Sequence, residues 1–137
     1  MNPITAVFSL VTIATHTLFF IVESFLWLRP AVHERVLGRL DSAIDVSLYE
    51  QAQILQSLFY NQGFYNLFVA LGGVAGWVLY KKGKTQSGLA LITYMCLFAV
   101  GAALVLAYSI GSYSGAAVQG LPPLLALIGI AYTAKSK

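Results

Sequence analysis

Residues 4–28 read ITAVFSLVTIATHTLFFIVESFLWL, and this stretch decides the fold class. It is a long apolar run with Glu23 as its one charged side chain, which points to a membrane span before any other class. A membrane-spanning helix needs about 20 such residues, and the stretch from Ile4 to Leu28 supplies them. It exceeds the roughly 7–15-residue apolar core of a secretory signal and lacks a basic leader and a small-residue cleavage pattern. The expectation is therefore a retained span.

Beyond it the composition changes. Between Arg29 and Gln53 fall Arg29, Glu34, Arg35, Arg39, Asp41, Asp45 and Glu50, with Pro30 and Gly38 as helix punctuation. This segment is expected to be a charged 25-residue outer loop in water or at the interface. Near its end Ser47 and Glu50 are spaced as a capping box, so a helix should begin near Leu48. Run unbroken to Tyr80, that helix is about 50 Å long at 1.5 Å per residue, against a hydrocarbon thickness of about 30 Å, so its first two turns should project. Lys81, Lys82, Gly83 and Lys84 make a basic turn before the charge-free run Leu89–Ile110. A short polar connection, Gly111 to Gly115, precedes the last apolar run, which Gly120-Leu121-Pro122-Pro123 opens. Proline is tolerated in a first helical turn, where its missing N–H is not needed, so a short or kinked last helix is expected. The predicted fold is an all-α integral membrane protein: a four-transmembrane-helix bundle forming one domain over 1–137, with spans near 4–28, 54–80, 89–110 and 117–134.

Composition supports the class. Of 137 residues 58% are hydrophobic and 9% charged, against a charged share of about 25% in soluble domains. The net charge of +3 comes from lysines beside apolar runs, which marks membrane topology and excludes a nucleic-acid-binding face. Cys96, the only cysteine, can form neither an intrachain disulfide nor a multi-cysteine metal site. With four spans, Lys81, Lys82, Lys84, Lys135 and Lys137 share the side of both termini, and Arg29, Arg35 and Arg39 lie on the other. The excess of lysine and arginine places both termini in the cytoplasm and the long loop outside a plasma (inner) membrane. Helices associate in lipid through close backbone approach and buried polar contacts. Gly72 with Gly76, and Ala99, Ala103 and Ala107 leading to Gly111, are such small-residue series, and either could join helices of one chain or of a homo-oligomer.

Polar residues within the spans are the candidate site, because a hydrocarbon core penalises them. His16 and Glu23 are seven residues apart on one helical face, which must look away from lipid. The second span adds Asn61, Gln62 and Asn66, the last two one turn apart on a shared face. Counted along the helices, Glu23, Asn61, Gln62 and Gln119 reach one outer-half layer. His16 and Asn66 fall deeper, where an imidazole–amide hydrogen bond is expected, with Tyr65, Tyr94 and Tyr108 as walls or donors. Buried amides and a hydrogen-bonded carboxyl can simply fix helix register, yet a glutamate is costlier to bury than an asparagine that would do the same. A neutral, hydrogen-bond-donating carboxyl is the expected form of Glu23. His16 and Glu23 offer two metal ligands and no third of their kind, so no metal is expected. No G-x-S-x-G, P-loop or H-E-x-x-H signature is present, and no cofactor is called for.

These residues carry a resemblance. His16 with Glu23-Ser24-Phe25-Leu26-Trp27, then Asn61-Gln62-Gly63-Phe64-Tyr65-Asn66, then Val118-Gln119-Gly120-Leu121-Pro122 resemble the bacterial membrane-protein family known as domain of unknown function 1304. The resemblance implies a four-helix membrane protein without an assigned activity. Its members commonly carry a glutamate before the histidine, where this chain has Thr15.

Three functions fit this pattern. The first is binding of a small amphipathic or lipid-like molecule in an outer-half pocket lined by Glu23, Asn61, Gln62 and Gln119. The second is a dimeric, proton-coupled exporter built around the membrane glutamate, an analogy of architecture. The third is a structural or assembly protein with a purely architectural polar layer. Catalysis by Glu23 or His16 in proton transfer is left open.

Overall fold

A computed structural model describes residues 1–38 and 45–135, without the side chain of Lys135; Arg39, Asp41 and Lys137 lie outside the described residues. Within them the chain forms five α-helices and no strand: α1 Pro3–Phe25, α2 Pro30–Leu37, α3 Leu48–Lys81, α4 Thr85–Ile110 and α5 Tyr113–Lys135. All but α2 are long and apolar enough to cross a membrane. Large apolar side chains lie exposed along all four, among them Val7 and Leu18, Leu58 and Phe68, Leu104 and Val105, and Ile128, a surface suited to acyl chains and not to water.

Helix boundaries follow local chemistry. At α1 the Asn2 side chain accepts from Thr5 N at 2.7 Å, and Pro3 stands at the first helical position, where no N–H is missed. At α3 the capping box forms: Ser47 N and Oγ both donate to Glu50 Oε2, at 3.0 and 2.6 Å, and Glu50 N donates to Ser47 Oγ at 3.3 Å. The far end of α3 closes in a Schellman motif. Gly83 at φ +83° lets Lys84 N reach Leu79 O at 3.0 Å and Gly83 N reach Tyr80 O at 3.1 Å.

Three expectations are corrected. The charged segment after α1 is not simply a loop, because Pro30, preset for a first helical turn, starts α2, whose His33 and Leu37 are buried. The connection between α4 and α5 is shorter than Gly111–Gly115, because Gly111 at φ +64° turns the chain at once and α5 begins at Tyr113. Pro122 and Pro123 consequently stand inside α5 and not in its first turn, withdrawing two N–H donors from its ladder.

The chain packs as two units. In the first, residues 1–16 and 68–137, the core is Ile92, Met95, Cys96 and Ala126, lined by Phe8, Ile13, Trp77 and Leu127. Here α3 and α4 meet backbone to backbone, since a Cβ on Gly88 would stand 2.6 Å from Tyr80 N and 2.7 Å from Gly76 O. Ala99 and Ala103 are buried, and a Cβ on Gly120 would stand 2.8 Å from that of Ala103. Gly76 and Ala103 thus serve seams within the chain, whereas a Cβ on Gly72 would meet nothing within 4 Å.

In the second unit, residues 17–67, the core is Trp27, Leu37 and Ala52 with Val36, Leu48, Leu55 and Phe59. The Trp27 indole stacks on Phe59, centroids 3.5 Å apart and planes at 9°. Its Nε1 donates to Ala52 O at 2.8 Å, and the buried His33 places Nδ1 3.3 Å from Trp27 O.

Candidate functional site in the seam between α1 and α3

Within the second unit the last turns of α1 run against residues 59–67 of α3. Gly63 sets how close they come: a Cβ there would fall on Ser24 Oγ and stand 3.1 Å from both Phe20 O and Ser24 N. Any larger side chain would have to push two backbones apart. The closeness lets Ser24 Oγ donate to Tyr60 O at 3.3 Å and Phe20 meet Phe64 edge to face, centroids 5.1 Å apart.

The same seam brings Glu23 to Asn66. Asn66 Nδ2 donates to Glu23 Oε2 at 2.8 Å and lies 3.3 Å from its own helix's Gln62 O. Asn66 is buried and Glu23 half-buried. Only one carboxyl oxygen of Glu23 is engaged; the other has no hydrogen-bond partner among the described residues. Asn61 and Gln62 are exposed on α3, and Asn61 lines a shallow groove of about 320 Å³ with Gln56, Ser57 and Tyr60.

The remaining candidates fall elsewhere. His16 belongs to the first unit, is fully buried, and places Nδ1 2.9 Å from Thr12 O of its own helix. Asn66, its expected partner, gives its amide to Glu23 and to Gln62 O. Gln119 is half-buried on α5, also in the first unit. Tyr65, Tyr94 and Tyr108, expected as walls or donors, are instead 59%, 70% and 94% exposed, so none is enclosed in a site. Among the described residues no three His, Cys, Asp or Glu side chains converge as metal ligands.

Two features escaped the sequence reading. In the first unit Thr5, Ser9, Thr12 and His16 form a buried polar stripe on α1. Trp77 Nε1 donates to Ser9 Oγ at 3.1 Å, and Thr5 Oγ1 donates to Ala126 O at 3.3 Å. Their spacing of four, three and four residues was a visible signal, hidden by the weak hydropathy of hydroxyls. In the second unit Ser24 and Gly63 build the seam, although both stand inside the segments that carried the resemblance.

The chain belongs to a family: the model described as protein of unknown function (DUF1304) matches residues 10–131, which include the whole seam from Phe20 to Asn66. No curated protein and no solved structure matches it.

Proposed function

Proceeding from membership of that family, we propose that the chain is an integral membrane protein that holds one lipid-like amphiphile at the outer border of a plasma (inner) membrane, with both termini cytoplasmic. The carrying observation is the half-buried Glu23, which gives one carboxyl oxygen to Asn66 and keeps the other without a protein partner among the described residues. Polar groups removed from water without a partner are costly. A headgroup hydroxyl or amine would complete this one.

Helix length supports the location. About 20 residues of hydrocarbon, counted back along α3 from Tyr80, reach Asn61, so Asn61 and Gln62 fall at the border and Asn66 about one turn inside it. Their exposed amides can engage the ester or glycerol region of the same molecule. The groove beside Asn61, about 320 Å³, is of headgroup size.

The test is native mass spectrometry of the protein extracted gently from its own membrane, with the retained lipid identified. Wild type should carry one equivalent. Glu23→Leu should reduce occupancy about 10- to 100-fold, the equivalent of a lost hydrogen bond to a charged group. An unchanged lipid complement in Glu23→Leu would refute the proposal. A second, architectural reading has an observation in its favour, since Gly63 and Ser24 fit α1 to α3 without any guest. On that reading Glu23→Gln leaves lipid content and stability as in wild type.

A further inference from the structure

A second cavity, of about 280 Å³, opens in the first unit between the start of α1, the end of α3, the start of α4 and the end of α5. Leu89, Ile130 and Ala134 give it apolar walls, and Tyr80, Thr85 and Thr133 contribute hydroxyls. Thr133 Oγ1 is engaged by Asn2 Nδ2 at 2.6 Å and by Gly129 O at 3.0 Å. Thr85 Oγ1 has no hydrogen-bond partner among the described residues.

Within the first unit the side-chain charge is of one sign: by sequence, residues 1–16 and 68–137 contain lysines and none of the chain's five Asp and Glu side chains. Lys81 follows the lining residue Tyr80, and Lys84 precedes the lining residue Thr85. Lys81 is turned along its own helix, with Nζ 6.0 Å from the Trp77 ring centroid. Lys82 and Lys84 are exposed in the turn between α3 and α4. Topology alone would account for lysines at this end. It does not account for a cavity with apolar walls beside them.

We propose that this cavity binds an anionic phospholipid, with the glycerol and first acyl carbons against Leu89, Ile130 and Ala134, and the phosphate facing Thr85 Oγ1, Lys82 and Lys84. Basic pockets between membrane helices take such headgroups because the lysines supply the counter-charge and the helices exclude water from the glycerol. The cavity belongs to the first unit, whereas Glu23 belongs to the second.

The test uses the full-length protein in detergent micelles, titrated with phosphatidylglycerol or phosphatidylcholine and followed by native mass spectrometry and thermal unfolding. Wild type should bind phosphatidylglycerol in preference and gain thermal stability from it. Lys82→Gln with Lys84→Gln should weaken that binding about 25-fold, at roughly fivefold per lysine, and Lys→Arg at both positions should restore it. Ala134→Phe fills the cavity and keeps every charge, so it should abolish the preference while leaving unfolding without lipid unchanged. Glycerol 3-phosphate without acyl chains should give no stabilisation. The proposal is overturned if Ala134→Phe keeps the preference, which would reduce it to surface charge, or if glycerol 3-phosphate alone reproduces the effect.

Discussion

Gly63→Ala is the sharpest test of the seam. Alanine is the better helix former by roughly 0.8–1 kcal/mol, so on an open face the substitution should stabilise. At Gly63 the new methyl falls on Ser24 Oγ and stands 3.1 Å from Phe20 O and Ser24 N. Ser24 can rotate aside, which breaks its 3.3 Å bond to Tyr60 O and costs about 1 kcal/mol. The two backbone contacts remain, and overpacking of this kind adds about 1–3 kcal/mol. The net expectation is destabilisation by about 1–3 kcal/mol. Gly72→Ala is the matched control, since a Cβ there meets nothing within 4 Å, and it should stabilise by the propensity difference alone. Reversible unfolding in mixed micelles titrated with dodecyl sulfate, read by tryptophan fluorescence, measures both. In a Ser24→Ala background the cost of Gly63→Ala should fall by about 1 kcal/mol, a coupling that a double-mutant cycle reads directly. If Gly63→Ala is as stable as Gly72→Ala, or the cycle shows no coupling, the close approach of α1 and α3 is wrong.

Asn66→Ala should cost about 1–3 kcal/mol, because it leaves the half-buried Glu23 carboxyl without its donor; equal stability in the same unfolding assay would count against the pair. Trp27→Phe keeps an aromatic ring against Phe59 but deletes the donor to Ala52 O, so it should cost about 0.5–1.5 kcal/mol, whereas Trp27→Ala should cost about 3–5 kcal/mol. Gly88→Ala meets only backbone atoms, at 2.6 to 2.9 Å, and should destabilise by about 3 kcal/mol, with no rescue from any neighbouring side-chain truncation. Ser47→Ala removes the two capping-box bonds made through Ser47 Oγ and keeps the backbone N–H of residue 47 on Glu50 Oε2; it should speed amide exchange in residues 48–51 while leaving exchange beyond Gln62 unchanged.

Much of the fold was legible because hydropathy is additive over long windows. The four apolar helices, the start of α3 at Leu48 and its capping box by Ser47 and Glu50 all follow from local composition and spacing. Where local signals were weak, the reading failed. Pro30 as punctuation can end one helix or open another, and whether the eight residues of α2 fold depends on Trp27 and Leu37 finding Ala52, a tertiary event. Pro122 and Pro123 suit a first helical turn, where their missing N–H is not needed, yet α5 already runs from Tyr113. At the candidate site the residue types were legible and the pairings were not. Glu23 and Asn66 were both singled out, but joining them required knowing that Gly63 fixes the register of α1 on α3.

That register leaves one choice unexplained by packing. Asn66 donates a single hydrogen bond to Glu23 Oε2, and a glutamine at position 23 would accept it equally well through its carbonyl oxygen. Glutamine would also avoid placing an acid in the last turn of α1, which ends at Phe25, where the negative end of the helix dipole opposes a carboxylate. The acid therefore adds nothing to the seam that an amide lacks. What distinguishes it is the second oxygen, which no described residue engages, and which in a glutamine would be an amide nitrogen that only donates. A headgroup amine or hydroxyl donating to that oxygen would discriminate between the two. Stability should therefore be nearly indifferent to Glu23→Gln, while lipid retention should not be.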